Sequence, residues 1–369
     1  MKILLIGDYS NCHSTLARGL RQQGHEVTLM SSGSGFQQTE RDTDLSRRDS
    51  RIGGALLYAR MRWPLRKAMA GYDVVALQNP HFAELRPHRL RYFFDRLRDE
   101  NEKVFLTAAG TDVNYILASL DTAGPLKYNE FRIGNHLTPF SQSGHGDLNR
   151  WLTPEMRAYC DHVYSHIDGA VSVLYEYHLA LKRALPEDKI AYGGIPIDTD
   201  ALQPVEYAPL SSGVNLFLGR HRTRCVEKGT DLLEQAALAA IKRCGPESGR
   251  LTLVEDVPLR EYVKLQKQAH LVMDQIYSYT PATNALLAMA RGIPALSGAE
   301  PEFYDFIGET QLRPVINAPV TLPELTDCIE ELLRNPALLQ QAAAQSREFV
   351  IKHNHYRTVT QRFLSAWQK

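Results

Sequence analysis

Apolar residues fall in short unbroken runs along the first half of the chain. Residues 2–6 form one such run, closed by Gly7 and Asp8. A helical pattern at 14–23 follows and stops at Gly24, since glycine readily takes the left-handed turn that ends a helix. Runs at 26–30, 73–77, 103–107 and 169–173 repeat the strand length, with helical patterns between them. Strands that are apolar throughout, rather than alternating, predict a parallel sheet covered by helices on both faces. The rhythm then restarts. Residues 214–218 predict a strand, 229–242 a helix, and 251–254, 271–274 and 294–297 further strands.

Two such series predict an α/β protein with two Rossmann-like β/α/β domains facing across a cleft. Ligands of these folds sit beyond the carboxyl ends of the strands, which makes that cleft the expected site. The turn Gly193-Gly194-Ile195-Pro196 marks the junction. The expected domains are 1–192, with an inserted loop region at 113–155 that lacks clear periodicity, and 193–352. A helix at 353–369 is expected to cross back to the first domain.

The 369 residues suffice for two cores. Lys plus Arg and Asp plus Glu are both 42, so the net charge is zero, which argues against a globally basic nucleic-acid binder. No apolar run approaches the roughly 18–20 residues of a membrane span. The opening MKILLIGDYS turns polar too soon for a signal peptide. Cys12, Cys160, Cys225, Cys244 and Cys328 are scattered without a CxxC pair, arguing against a disulfide framework or zinc site. A cytoplasmic protein is expected.

The turn after the first strand, Gly7-Asp8-Tyr9-Ser10-Asn11-Cys12, holds one glycine, so it lacks the GxGxxG of a dinucleotide site. GxxxxGK[ST] is also missing. The second half is more informative. Its first strand runs into Gly219-Arg220, and Lys228-Gly229 opens the next helix. Two fixed cations beside the N–H groups of a helix N-terminus would make a diphosphate site, although solvated surface cations share this spacing. Downstream come Met273-Asp274-Gln275, a loop at 276–280 and a helix carrying Asn284. Core packing accounts for Leu286, Leu287 and Met289 on that helix.

Here the chain resembles glycosyltransferase family 4, the retaining transferases of the GT-B type. The resemblance is carried by LARGLRQQGHEVTLMSS, by FLGRHRTRCVEKGTDLL, by DQIYSYTPATNALLAMARGIP, and by the tail around Asn335-Pro336 and 344–367. The third motif is the most specific. It departs from the family at the paired donor-site glutamates, whose places are taken by Tyr279 and Leu287. In Thr107-Ala108-Ala109-Gly110-Thr111-Asp112, similar to a His-Gly-Thr-Asp segment, Ala109 replaces the histidine. The Asp-Gln…Tyr-Ser-Tyr-Thr-Pro form looks like a branch of bacterial surface-polysaccharide transferases.

The resemblance implies a nucleotide-diphosphate sugar as donor, UDP- or GDP-linked, a glycan or lipid-linked acceptor, and no cofactor or metal. Arg220 and Lys228 would neutralise the leaving diphosphate. Asp274, Tyr277, Tyr279, Thr280 and Asn284 would line the donor side, and His13, Gly110 and Thr111 the acceptor side. Asp112 would orient the acceptor or handle its proton, or else cap the following helix. Asp42/Asp44 and Asp198/Asp200 have metal-pair spacing but lie in turn-like stretches, which favours solvated turn carboxylates. A catalytically silent nucleotide- or glycan-binding protein is the alternative, and a sugar-nucleotide 2-epimerase a third.

Residues 51–70 carry Arg51, Arg60, Arg62, Arg66 and Lys67, no acid, and interleaved Leu56, Leu57, Tyr58, Met61 and Trp63. The ordinary reading packs Leu56 and Trp63 on the sheet beneath solvated arginines. The other rests this helix on an anionic membrane. Asn135, His136, Phe140, His145 and Trp151 of the insertion are candidates for an acceptor lid.

Overall fold

The computed structural model describes residues 1–33, 39–143, 148–207, 210 and 213–369, so His145 lies outside the described residues. The strands are β1 (Lys2–Ile6), β2 (Glu26–Ser31), β3 (Thr43–Asp44), β4 (Val74–Gln78), β5 (Lys103–Ala108), β6 (Arg132–Ile133) and β7 (His136–Leu137). They continue with β8 (Gly169–Ser172), β9 (Ile190–Tyr192), β10 (Val214–Arg220), β11 (Gly249–Glu255), β12 (Leu271–Met273), β13 (Ala295–Ser297) and β14 (Ile316–Asn317). Two compact units result. One holds Met1–Asp121, Gly146–Pro196 and Tyr356–Lys369, the other Thr122–His145 and Ile197–His355.

The first unit is built on a parallel sheet in the order β3-β2-β1-β4-β5-β8-β9. Ile3 to Ile6 and Val75 to Leu77 are fully buried, as continuous apolar strands must be when helices cover both faces. Helix Tyr356–Trp367 belongs to this unit and packs on helix Cys12–Gln22. A Cβ on Gly19 would meet Thr360 Oγ1 at 2.2 Å, so only glycine permits that approach. Lys103 Nζ donates to the Trp367 carbonyl and Tyr356 Oη to Gln22, which fastens the chain end to the sheet.

The second unit carries a parallel sheet in the order β11-β10-β12-β13-β14. Helices Thr230–Cys244 and Leu322–Arg334 pack together through Leu233, Ala236, Ala237, Ala240, Leu325, Ile329 and Leu332. The expected strands and helices of both series are found within a residue or two. β3, β9 and β14, of two or three residues each, are additional.

The stretch 113–155, expected as one inserted loop region, is neither loop nor one piece. It contains helix Val113–Leu120, the β6–β7 hairpin and short helices Pro139–Gln142 and Leu148–Trp151. Thr122–His145 belongs to the second unit, while Trp151 is buried in the first. Its short elements are too brief for a helical or strand period to register in the sequence.

Glu309 is a buried anchor of the second unit. Burial alone would raise its carboxyl, but Lys352, the Leu312 N–H, His353 and the Gln311 N–H overcome that and hold it well below the usual carboxylate range. A depressed folded-state value stabilises the fold above the ordinary glutamate pKa of about 4.3, and the benefit is lost as pH falls toward the folded value. Glu309→Ala should therefore destabilise the second unit by about 2–3 kcal/mol at neutral pH, a figure reduced because Lys352 is half exposed. Thermal unfolding across pH checks this: the gap from wild type should narrow in acid, and a gap that widens there contradicts it.

Candidate functional site

In the second unit the chain runs from β10 outward to β11 on one side and to β12 on the other. The order therefore reverses between β10 and β12, and the crevice beyond the carboxyl ends at such a point is where doubly wound sheets bind ligands. Lys228, Asp274 and the loop around 276–280 all lie there.

Gly219 is the penultimate residue of β10, and a Cβ there would clash with the Tyr262 ring at 2.2 Å. A short helix, Cys225–Lys228, then gives way at Gly229 to helix Thr230–Cys244. Gly229 has φ +69°, and a Cβ there would meet Ile276 at 2.4 Å, so the position demands glycine twice over. No side chain caps the N-terminus of helix Thr230–Cys244. The Lys228 carbonyl accepts the Ile276 N–H at 3.1 Å and ties this turn to the loop after β12.

Lys228 Nζ stands 3.7 Å from Asp274 Oδ1, and its side chain keeps 29% of its exposure. Asp274 is only 2% exposed. Its Oδ1 accepts from Asn284 Nδ2 at 3.2 Å, and Asn284 Oδ1 in turn accepts from Tyr262 Oη at 2.8 Å and Gln266 Nε2 at 3.2 Å. Asp274 Oδ2 is buried without a hydrogen-bond partner among the described residues. A buried carboxylate this thinly satisfied is costly. It favours a cation beside it.

Arg220 is placed differently. The β10–β11 register sets it directly opposite Glu255, and it donates through Nε to Glu255 at 2.9 Å and through Nη1 to Glu234. Glu255 and Glu234 together hold its proton more tightly than an ordinary guanidinium does. With 15% exposure, Arg220 is a paired cation rather than the open one its spacing suggested.

The donor-loop tyrosines are packed inward. Tyr277 joins the apolar core beside Ile276, and burial pushes its hydroxyl up to about 12. Tyr279 is covered by Tyr128, with ring centroids 5.0 Å apart and planes at 29°, and its Oη accepts the Lys127 N–H. Thr280 is buried as well. The two tyrosines thus present no open face in this arrangement. A Cβ on Gly298 would sit 1.9 Å from the Ser278 carbonyl oxygen, so the loop lies directly on β13's exit.

Sequence reasoning missed Glu300, two residues after that glycine. Its Oε1 accepts from Tyr128 Oη at 2.8 Å and Asn317 Nδ2 at 2.6 Å, and Lys127 Nζ lies 3.9 Å from Oε2. An acid placed between a strand-ending glycine and a helix-opening proline was the available signal.

The first unit has its own reversal, between β1 and β4. Ser10, Asn11 and Asn79, with φ of +53°, +61° and +75°, cluster at these two strand ends, and strain of this kind gathers at functional sites. Asn79 Nδ2 donates to the carbonyls of Thr111 at 2.9 Å and Ala109 at 3.2 Å. Gly110, φ +77°, passes so close to Tyr9 that a Cβ would lie 3.3 Å from its ring. Gly110 and Thr111 remain partly exposed beside Tyr9. His81, also missed, is buried next to Arg150 at 3.0 Å, and burial followed by that charge lowers it to about 4.

Two expected residues are structural here. His13 is fully buried, with Nδ1 2.8 Å from the Gly7 carbonyl and Nε2 2.9 Å from Thr107 Oγ1. Burial lowers it to about 3, so the ring is neutral and clamps β1's exit to β5. Asp112 caps helix Val113–Leu120, accepting the Tyr115 N–H at 2.7 Å and the Tyr164 hydroxyl. Burial raises its carboxyl, opposed by those bonds. The Asp-x-Asp carboxylates are engaged locally, and Asp44 lies in β3 rather than a turn: Asp42 binds Arg21 and the Leu29 N–H, Asp44 the Ser46 N–H, and Asp198 the Ala201 N–H, while Asp200 pairs with His355.

No protein-family model matches the sequence, and no curated protein sequence matches it. Solved structures do match. HepE of Anabaena, crystallised with UDP and glucose, is similar at a TM-score of 0.62 and 12% identity, over 100% of each chain. Sucrose-phosphate synthase of Thermosynechococcus elongatus reaches 0.65 at 12% identity, over 100% of this chain and 98% of that one. A putative UDP-N-acetylglucosamine 2-epimerase of Listeria monocytogenes reaches 0.55 at 13%, over 99% and 95%. The expected fold class therefore holds: this is the GT-B architecture of two Rossmann-like domains. Identity this low carries the fold and not the reaction.

Gly298→Ala tests the close approach beneath the loop. It should destabilise the protein by about 1–3 kcal/mol through overpacking against backbone, read from denaturant unfolding. An unchanged midpoint contradicts the contact.

Proposed function

We propose that the protein is a glycosyltransferase that moves a sugar from a nucleotide-diphosphate sugar to a glycan or lipid-linked acceptor. The observation that carries this reading is Lys228, partly exposed beside the buried Asp274 at the β10–β12 reversal and two residues before the uncapped helix at Thr230. An ammonium and helix N–H groups, held together by Gly229, suit a diphosphate. HepE, of the same fold, was crystallised with UDP-glucose, which supports a UDP-linked donor.

Transfer builds negative charge on the departing diphosphate and positive charge on the sugar ring. Lys228 and the helix N-terminus meet the first need, with Arg220 contributing through its Nη2 edge while Glu234 and Glu255 fix its orientation. Asp274 holds Lys228 in place. Metal-independent transfer with retention, in which the diphosphate takes the acceptor's proton, follows from the family resemblance. On this reading Gly110 and Thr111 bear on the acceptor, and the product belongs to a bacterial surface polysaccharide made in the cytoplasm.

A second reading is a silent nucleotide- or glycan-binding protein. The carboxylates on Arg220 and the covering of Tyr279 by Tyr128 favour it. An epimerase draws support from the similarity to the Listeria protein. A mixed nucleotide-sugar screen separates the three: transfer or donor hydrolysis supports a transferase, binding without turnover the silent protein, and inverted free sugar nucleotide the epimerase.

Lys228→Ala should weaken nucleotide-diphosphate binding by about 1.5–3 kcal/mol, the scale of one charge-assisted hydrogen bond, or about ten- to a hundredfold. Calorimetry with UDP and GDP reads it. Unchanged affinity for the nucleotide that binds removes Lys228 from the site.

A further inference from the structure

The helix Gly53–Arg62 is apolar on two sides. Leu57 and Met61 point into the core and are almost fully buried. Leu56 and Trp63, which the ordinary sequence reading packs on the sheet, face outward instead. Ile52 is 63% exposed, Leu56 45% and Trp63 67%. Leu56 lies on the helix, and Ile52 and Trp63 flank it as its two cap residues, at steps of four and seven that bring the three toward one side. Among the described residues ten large apolar side chains are exposed, and three of them crowd into this short segment. An isolated exposed leucine needs no explanation, but a stripe of this composition does.

Its flanks carry one sign of charge. Residues 47–67 hold Arg47, Arg48, Arg51, Arg60, Arg62, Arg66 and Lys67 against the single acid Asp49. From neighbouring elements, Asp44 acts on Arg60 and Arg41, and Glu100 lies 4.0 Å from Arg66 while also binding Arg96. Arg62 is fixed over the Tyr92 ring at 4.7 Å and donates to Tyr58 Oη, which holds its charge beside Trp63. Arg47, Arg48, Arg51 and Lys67 are exposed.

We propose that residues 47–67 seat the protein on an anionic lipid bilayer, with Ile52, Leu56 and Trp63 entering the headgroup boundary and the surrounding arginines meeting lipid phosphates. A narrow apolar stripe with tryptophan at its end, edged by arginine and lysine, matches that environment in both polarity and charge. The inference rests on this surface alone and stands whichever reaction the second unit carries out.

Co-flotation with vesicles tests it. The full chain should bind phosphatidylcholine vesicles containing about 30% phosphatidylglycerol, not pure phosphatidylcholine, and should release as salt is raised. Trp63 fluorescence should shift to the blue on binding, because Trp151 and Trp367 are already buried. Leu56→Ser with Trp63→Ala should lower partitioning about tenfold, as should Arg51→Glu with Lys67→Glu, with the unfolding midpoint unchanged since these side chains are exposed. Absence of binding at low salt, equal binding to neutral vesicles, or partitioning indifferent to both double variants overturns the proposal. So does a self-association that the Trp63→Ala variant abolishes in place of lipid binding.

Discussion

A carboxylate sunk at the end of β12 is the constraint around which the second unit's strand ends are arranged. Asp274 is out of water, receives one amide hydrogen bond, and has an oxygen with no partner among the described residues. Leaving it so would be expensive, and the sequence answers from across the β10–β12 reversal. Gly229 allows the chain to turn left-handed against Ile276, which delivers Lys228 to the acid and starts the long helix at the same point. The 3.7 Å separation is loose for an ion pair. An ammonium held that way can serve a phosphate as well as its carboxylate.

The neighbouring polar groups divide into those that hold and those that are held. Tyr262, Gln266 and Asn284 form a chain that fixes Asp274, and Glu300 with Tyr128 and Asn317 pins the loop above it. Arg220 is turned by two carboxylates. In the first unit, the neutral His13 and the cap Asp112 play the same supporting part for the turns at 7–13 and 109–112, leaving Tyr9, Gly110 and Thr111 at the surface. Apart from Lys228, the ionisable groups of these two strand-end clusters act mainly by shaping backbone.

This explains what the sequence could and could not disclose. Continuous apolar strands alternating with helices are a strong period, so both sheets were legible, and Lys228-Gly229 after a strand was a legible phosphate signal. Local spacing does not report a partner brought by the fold. Glu255 reaches Arg220 only through the β10–β11 register, and Glu234 only from the helix that follows. His13 had a plausible place after β1, but its burial depends on Thr107 ninety-four residues away. Tyr279 is covered by Tyr128 from a segment whose short elements have no readable period. On the helix at 53–62, two apolar faces look alike in sequence, and only packing decides that Leu57 and Met61 turn inward while Leu56 and Trp63 do not.

The most direct test of the account is a crystal structure with UDP bound. It should place the diphosphate within hydrogen-bond distance of Lys228 Nζ and the first N–H groups of helix Thr230–Cys244, with Asp274 still against the ammonium. A diphosphate lodged elsewhere, with Lys228 and Asp274 unmoved and untouched, would contradict it.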